Sequence, residues 1–228
     1  HAPYLAAFVV GNFAVERDTI RSGLELSYYV EPEYAPYAKA IFGRTREMIA
    51  FFEGKFGVEY QWEKYAQIAV RDFVAGAMEN TSMTVHAENV QTDARALLDG
   101  NSDDVIAHEL MHHWFGNLVT CESWVHLTLN EAFANYSEYL WNEHKKGVEE
   151  ADLWSQGEQQ QYLGEAEQKQ EPLIRYNYTD MEDMFDSHSY AKGGQILHML
   201  RKYVGDEAFF TASHNYLIRH AFGTAEVN

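Results

Sequence analysis

Residues His108 to His112 read His-Glu-Leu-Met-His, and this stretch constrains the fold of the chain more than any other. Asp103 precedes it at a place where the first turn of a helix favours an acidic side chain. In an α-helix, side chains four residues apart lie on one face, so both imidazoles point in the same direction. The pattern predicts a helix over about 103–115 that presents two histidines to a neighbouring element.

Two histidines with this spacing can bind one metal ion, with Glu109 beside the ion rather than bound to it. Zinc binds neutral histidine nitrogens and carboxylate oxygens at about 2.0–2.2 Å, and a catalytic zinc keeps one position for water. A carboxylate beside that water can act as its base. The alternative is a chance string in a polar helix, which arises on the order of one time in a hundred in a chain of this length. We therefore favour a metal site with Glu109 as the candidate base.

The overall charge and composition make some binding partners and structural features unfavourable. The net charge is −18 and the isoelectric point is near 4.9, which disfavours binding to nucleic acids and to anionic membranes. We expect no membrane segment, because no apolar run approaches the roughly 20 residues that cross a bilayer. Cys121 is the only cysteine, so no disulfide forms within the chain. The first residue is not methionine, so we expect the chain to be part of a longer protein.

The predicted elements place strands first and helices after them. Residues 5–15 and 24–30 are β-rich runs that predict a hairpin, and residues 65–73 alternate between two faces as a strand does. Residues 31–33 read Glu-Pro-Glu, a linker signal that predicts a domain boundary near residue 32. This order is typical of an α+β fold. The predicted helices cover about 34–56, 103–115, 129–146, 150–169, 190–204 and 206–220.

A hydrolytic zinc site needs a third protein ligand, because two histidines leave the coordination incomplete. Glu131 is the best candidate, since it lies at the start of the second predicted helix, which a loop can fold back against the first. A competing interpretation is structural, because Thr128 and Glu131 match the two ends of a capping box, in which Glu131 satisfies only backbone donors. The spacing alone leaves both roles open.

Glu138 lies two helical turns after Glu131 and therefore shares its face. It could accept the outer N–H of a ligating histidine, as carboxylates beside metal sites commonly do. The alternative is an exposed helix glutamate, which is the commoner outcome for this residue type. Glu138 is thus a candidate support for the metal site and not a ligand.

Several stretches together match a known pattern. His112 is followed by Trp-Phe-Gly-Asn at 114–117, and Glu131 lies in the context Asn-Glu-Ala-Phe-Ala. With a glycine-containing pentapeptide upstream, these stretches closely resemble the M1 family of zinc aminopeptidases, a gluzincin family, across essentially the whole chain. The pentapeptide alone would fit a turn after a strand, but with the zinc motif it separates this family from other zincins. Its residues are Gly76, Ala77, Met78, Glu79 and Asn80.

The resemblance implies roles for the metal-site residues and for the pentapeptide. One zinc ion per chain is implied, bound by His108, His112 and Glu131, which resolves the ambiguity with the capping box in favour of the metal. Glu79 is implied to bind the free α-ammonium of a peptide substrate. The backbone at 76–77 is implied to hydrogen-bond that peptide as an added strand.

Tyr190 is a second implied catalytic residue. It lies in the context Tyr-Ala-Lys-Gly and resembles the family tyrosine that hydrogen-bonds the tetrahedral oxyanion. Composition gives no reason to select it, since the chain has 15 tyrosines. One departure from the family pattern is Ala132, which stands where a glycine usually follows the ligand glutamate.

The resemblance also implies the architecture. Residues 32–228 are expected to form a thermolysin-like zinc metallopeptidase catalytic domain, with a small mixed β-sheet lobe packed on a mainly helical lobe. Residues 1–31 are expected to be the C-terminal tail of an N-terminal β-domain. We expect the catalytic domain to be truncated at its C-terminal end, so that domains on both sides are missing partners of this chain.

The implied function is a zinc-dependent aminopeptidase that acts on peptides with a free α-amine. One alternative is a thermolysin-like endopeptidase, which cleaves N-acetylated peptides as well. A second is a non-catalytic scaffold homologue, which is expected to have lost site residues that this sequence retains. An epoxide hydrolase activity on the same zinc site also stays open, as does the cellular compartment.

Overall fold

The computed structural model describes residues 2–21 and 23–227. Within these residues a mixed sheet has five strands, β1 (Ala14–Thr19), β2 (Glu25–Val30), β3 (Lys64–Val70), β4 (Ala77–Met78) and β5 (Met83–Ala87). Their order in the sheet is β1-β2-β3-β5-β4. Strand β1 is antiparallel to β2, the pairs β2–β3 and β3–β5 are parallel, and β4 is antiparallel to β5, so β4 lies at one edge.

The first part of the sheet begins later than the sequence predicts. The predicted hairpin forms, but its first strand begins at Ala14, because the 3-10 turn Pro3–Leu5 and a segment without regular secondary structure, 6–13, occupy most of the expected run. Strand β2 also pairs with β3 from Glu25 to Tyr29. Residues 14–30 therefore belong to the same sheet as the later strands.

The helices follow the predicted order. The long predicted helix over 34–56 is interrupted, because Pro36 lies in a 3-10 turn and Gly43 separates α1 from α2. The other boundaries agree with the prediction within a few residues. The helices are α1 (Ala38–Phe42), α2 (Thr45–Phe56), α3 (Asp103–Met111), α4 (Thr128–Lys146), α5 (Val148–Ala166), α6 (Gly193–Val204) and α7 (Asp206–His220).

A two-stranded parallel sheet and a continuous apolar core complete the fold. Strand β6 (Val119–Cys121) pairs with β7 (Gly223–Ala225). Helix α3 packs against both α2 and α4, and the core includes side chains from all three. Each fully buried large apolar side chain stabilises such a core by about 1.5–3 kcal/mol. The predicted α+β class, with a small mixed sheet and a mainly helical part, is confirmed.

No helix in the described part of the chain is both long and apolar enough to span a lipid bilayer.

Candidate functional site

Helices α3 and α4 bring the three predicted metal ligands together. The Nε2 atoms of His108 and His112 lie 3.3 and 3.2 Å from the same oxygen, Oε2 of Glu131. One possible ligand atom from each of the three residues lies within 4.8 Å of the other two. His112 and Glu131 are buried and His108 is nearly so. The two histidines come from one face of α3, and the glutamate comes from the first turn of α4.

Each imidazole is oriented by a hydrogen bond from its other nitrogen. His108 Nδ1 lies 2.8 Å from Oε1 of Glu138, and His112 Nδ1 lies 3.1 Å from the carbonyl oxygen of Phe115. A carbonyl oxygen and an ionised carboxylate can only accept, so Nδ1 is the donor in each ring and Nε2 is the nitrogen that faces Oε2 of Glu131. Gly116 allows the chain to turn here with a φ of 142°, a conformation that disfavours other residues.

This donor set fits a metal ion. Oε2 of Glu131 is buried, yet neither nearby histidine meets it with hydrogen-bond geometry. A buried carboxylate oxygen without a hydrogen bond is costly unless a cation satisfies it. Two histidines and one carboxylate are the ligands that catalytic zinc commonly has. The capping alternative for Glu131 is not realised, because α4 has no side-chain cap and Thr128 donates to the carbonyl of Ser189 instead.

The charges of these groups are strongly coupled. Burial raises the pKa of Glu131, but the adjacent histidines outweigh it and lower that pKa to about 2. Burial lowers the pKa of His112, and the nearby carboxylates reverse this and raise it to about 9. Burial raises the pKa of Glu138 to about 7, against the opposing effect of its hydrogen bond with His108. The cluster therefore favours positive charge at the point where its ligand atoms meet.

Glu109 lies beside the three ligands on the same helix. It is buried, and its Oε2 atom has no hydrogen-bond partner within the described residues. Burial raises the pKa of Glu109 to about 8, while the two histidines oppose this shift. A carboxylate with a pKa near neutrality can both accept and return a proton.

A cavity of about 490 Å³ opens in front of this cluster. Glutamates are prominent in its lining, and no lysine or arginine side chain contributes among the residues that the structure describes. An apolar wall completes it, so the cavity suits a cationic group attached to an apolar body. The lining residues comprise Val74, Ala75, Gly76, Ala77, Met78, Glu79, Val105, His108, Glu109, His112, Glu131, Glu138, Glu182, Phe185 and Tyr190.

The predicted pentapeptide forms one wall of this cavity. Ala77 and Met78 are the edge strand β4, and the carbonyl of Gly76 accepts the N–H of Ala87 on β5. Because backbone groups alternate along a strand, Ala77 turns its N–H and C=O to the open edge, where an extended peptide could pair. Asn80 is directed elsewhere, and its side-chain amide donates to the carbonyl of Leu5 at 3.1 Å.

Glu79 lies close to Glu109 of helix α3. Its carboxylate, that of Glu109 and a ring nitrogen of His112 form a second group whose atoms lie within 4.8 Å of one another. The backbone of Glu79 is fixed by the side-chain amide of Asn117, which donates to its carbonyl at 2.9 Å. The Tyr4 hydroxyl donates to Oε1 of Glu79 at 3.2 Å. Asn117 belongs to the Trp-Phe-Gly-Asn stretch that carried the family resemblance, whereas the sequence analysis did not single out Tyr4.

Tyr190 reaches the site from an irregular turn. It lies in a π-helical turn, His188–Lys192, and its ring stacks on that of His108 with centroids 5.9 Å apart and planes inclined by 10°. Burial, followed by the charges of nearby carboxylates, raises the pKa of Tyr190 far above its usual value. The hydroxyl therefore stays protonated and can donate a hydrogen bond. Turns of this π type occur often at functional sites.

The sequence did not predict the residues that hold this turn. Asp186 accepts the N–H groups of His188 and Ser189 through Oδ1 at 3.1 and 3.0 Å. Arg175 donates to both oxygens of Asp186, at 2.6 and 3.0 Å, and Lys169 donates to Oδ2 at 2.6 Å. Asp186 also forms a group of possible metal ligands with Glu165 and His188. Because the two cationic side chains already neutralise Asp186, this third group, with Glu165 and His188, does not fit a metal site.

Ala132, the departure from the family pattern, is accommodated by a neighbouring glycine. A Cβ atom placed on Gly193 would lie 2.6 Å from the methyl group of Ala132, which is closer than real contacts allow. The absence of a side chain at 193 thus leaves room for the extra methyl group. The π turn can therefore pack directly on α4.

The chain is similar over nearly its whole length to several aminopeptidases. It is 35% identical to glutamyl aminopeptidase from Bos taurus over 239 residues, which cover 99% of this chain and 24% of that protein. It is 36% identical to aminopeptidase N from Streptomyces lividans, covering 99% and 28%, respectively. It is 32% identical to aminopeptidase M1 from Arabidopsis thaliana, covering 98% and 26%.

This chain thus spans about a quarter of the length of these relatives. The Peptidase family M1 domain matches residues 41–228, a region that contains both metal-site helices and the wall formed by the pentapeptide. The resemblance read from the sequence motifs is confirmed, and the chain belongs to peptidase family M1.

Proposed function

We propose that the protein containing this chain is a zinc-dependent aminopeptidase that removes the N-terminal residue from peptides with a free α-amine. The observation that carries this proposal is a single cavity that joins a three-residue metal cluster to a separate carboxylate, Glu79. An acidic cavity of this kind suits a metal ion and an ammonium group together. The names of the similar proteins support the same activity.

We assign the metal site to His108, His112 and Glu131, with one zinc ion per chain. When bound there, zinc polarises the scissile carbonyl and lowers the pKa of water. Glu138 supports the site by accepting the Nδ1 hydrogen of His108.

Three side chains carry the remaining steps of the proposed reaction. Glu109 takes a proton from the attacking water and later delivers it to the leaving amine, a role that its pKa of about 8 suits. Tyr190 donates a hydrogen bond to the oxygen on which negative charge develops. Glu79 binds the substrate ammonium, and the edge strand β4 aligns the peptide beside it.

The position of Glu79 gives the reaction its direction along the peptide. An ammonium group bound by this carboxylate places the first peptide bond of the substrate beside Glu109, since the two carboxylates lie within 4.8 Å of a common histidine nitrogen. An N-acetylated peptide brings no charge, so it leaves Glu79 buried without its partner. The site should therefore release one residue at a time.

We further propose that domains on both sides of this chain complete the cavity in the whole protein. The preceding domain adds to the amine site, and the following domain closes the open side. This agrees with the short fraction of each relative that the chain covers.

The proposal is tested by zinc analysis of the complete protein, followed by turnover of an aminoacyl-arylamide and of its N-acetylated counterpart. We expect one zinc per chain and strong preference for the free amine. Tyr190→Phe serves as a control that removes one hydroxyl, and it should lower turnover by about 10²–10³-fold, the usual effect of an oxyanion donor. Equal turnover of both substrates by the wild-type protein would contradict the aminopeptidase assignment.

A further inference from the structure

We propose that Tyr4 is a positioning residue for Glu79, whose carboxylate it fixes in the orientation that receives the substrate ammonium. The inference rests on the proposed function, because ammonium binding is the role proposed there for Glu79. Tyr4 belongs to the 3-10 turn Pro3–Leu5, far from the metal motif in sequence.

The direction of the hydrogen bonds around Tyr4 is determined by its partners. The side chain of Asn130 accepts the N–H of Cys121 through Oδ1 at 3.1 Å, so its Nδ2 points the other way. That Nδ2 donates to the Tyr4 hydroxyl at 3.4 Å. Because the hydroxyl oxygen accepts this bond, its own proton is free to go to Oε1 of Glu79, 3.2 Å away. The chain of donors thus runs from the backbone of β6 to the carboxylate.

The Tyr4 ring is fixed as firmly as its hydroxyl. It packs edge-on against Trp124, with ring centroids 5.2 Å apart. The next residue, Leu5, is buried, and its carbonyl accepts the side-chain amide of Asn80. The turn is therefore tied to the strand region that carries Glu79, and neither side can shift without the other.

This arrangement leaves the Glu79 carboxylate with a neutral partner on one oxygen. A neutral hydroxyl donor stabilises a carboxylate without neutralising it, whereas an arginine or lysine would compete with the substrate ammonium. Oε1 is held by Tyr4, and no lysine or arginine lines the cavity among the described residues. One helix residue links the two halves of the site, because Asn130 directly precedes Glu131, the proposed metal ligand.

The test compares Tyr4→Phe with the wild type in the complete protein, using an aminoacyl-arylamide and the same arylamide without its amino group. We expect KM for the free-amine substrate to rise about tenfold, the size expected when one hydrogen bond to a charged group is lost. The rate on the des-amino substrate, the zinc content and the thermal unfolding temperature should stay at their wild-type values. Tyr139→Phe is the matched control, because that hydroxyl donates to a carboxylate oxygen of Asp152 at 2.9 Å outside the cavity.

A double variant separates positioning through Glu79 from a general structural role. In a Glu79→Gln background, Tyr4→Phe should change KM by less than twofold, because the group that it orients has already lost its charge. If the two substitutions have independent effects that multiply, or if Tyr4→Phe alone keeps the wild-type KM, the proposal for Tyr4 is wrong. A wild-type enzyme that does not prefer the free amine would instead overturn the proposed function itself.

Discussion

The two sides of the cavity are built in different ways. The side where we propose that the metal binds, called the metal side below, consists of His108, His112 and Glu131, which α3 with its C-terminal cap and α4 present. The other side, called the substrate side because we propose that the peptide binds there, consists of Glu79 and Tyr190. Glu79 directly follows the two-residue strand β4, and Tyr190 lies on the π turn. Regular backbone places the first group, whereas side chains that bond to the backbone place the second.

This difference shows where each side is vulnerable. On the metal side, the packing of α3 against α4 sets the positions of the ligands, and polar partners only orient the rings. On the substrate side, two side chains that bond to the backbone replace a regular element: Asn117 donates to the carbonyl of Glu79, and Asp186 accepts the N–H of His188. Substitutions of supporting residues should therefore affect metal binding on one side and turnover on the other.

The largest effect is expected for Glu109→Gln. Removing the base should lower kcat by about 10²–10⁴-fold, the range typical of general acid–base catalysis. Zinc content should not change, because Glu109 is placed beside the ligands and not among them. Metal analysis and turnover of an aminoacyl-arylamide check this, and a zinc-free variant would show that Glu109 belongs to the ligand set.

A smaller effect is expected for Asp186→Asn, which weakens the support of the π turn. Loss of its charge leaves Arg175 without its main partner, so the position of Tyr190 should relax. We expect kcat to fall by about ten- to a hundredfold, below the limit for complete loss of an oxyanion donor. The zinc content should stay at the wild-type value.

The Tyr190→Phe background provides the control for that variant. If Asp186 acts through Tyr190, then Asp186→Asn should change kcat little once the Tyr190 hydroxyl is gone. Ser189→Ala is a milder second variant, since its hydroxyl accepts from Arg175 at 3.0 Å. A loss of zinc in either variant would break the proposed separation between the two sides.

Glu138→Gln tests the supporting group on the metal side. The carboxylate accepts the Nδ1 hydrogen of His108 at 2.8 Å, and such supporting contacts change metal affinity by about 10–100-fold. We expect weaker zinc binding in a competition titration with a chelator, but nearly unchanged KM when zinc is saturating. An increase in KM with normal zinc affinity would place Glu138 on the substrate side instead.

The smallest effect concerns pH and His86, which pairs with Ala77 across β5 and β4. Burial lowers the pKa of His86 to about 3, below the ordinary value of 6.5. The unfolded chain therefore binds an additional proton between these two values, and folding stability falls as the pH falls through this window. One such group changes the free energy of unfolding by at most about 1.4 kcal/mol per pH unit.

Comparing the wild type with His86→Leu isolates this contribution. Urea unfolding of both proteins from pH 7 to pH 5 should give a flatter stability profile for the variant. His220→Leu, at a less buried histidine, is the control and should keep the wild-type slope. If the free energy of unfolding depends on pH in the same way for His86→Leu and for the wild type, then His86 does not cause the difference in proton binding.

The sequence predicted the metal side more completely than the substrate side, for a physical reason. Helical periodicity placed His108 and His112 on one face, and the start of the next helix offered Glu131. The family resemblance supplied Glu79 and Tyr190, because neither lies in a repeating pattern. Tyr4 reaches Glu79 from a distant segment of the chain, and Asp186 is held by Arg175 and Lys169 from the segment before it, so no local pattern indicated either support.

The same limit explains the deviations in the fold. The helices from α4 onward agreed with the prediction within a few residues, whereas the predicted helix over 34–56 was interrupted and the first strand began later than its composition suggested. Pairing between β2 and β3 decided that the first hairpin belongs to the main sheet, and pairing across distant segments is not visible in a local window.

The most direct test of the metal assignment is anomalous diffraction at the zinc absorption edge from crystals of the complete, active protein. Two donor sets share His112 in this structure, one completed by His108 and Glu131 and the other by Glu79 and Glu109. We predict a single peak per chain at about 2.0–2.2 Å from His108, His112 and Glu131. A peak bound by Glu79 and Glu109 instead, or no peak at all in active crystals, would contradict the assignment.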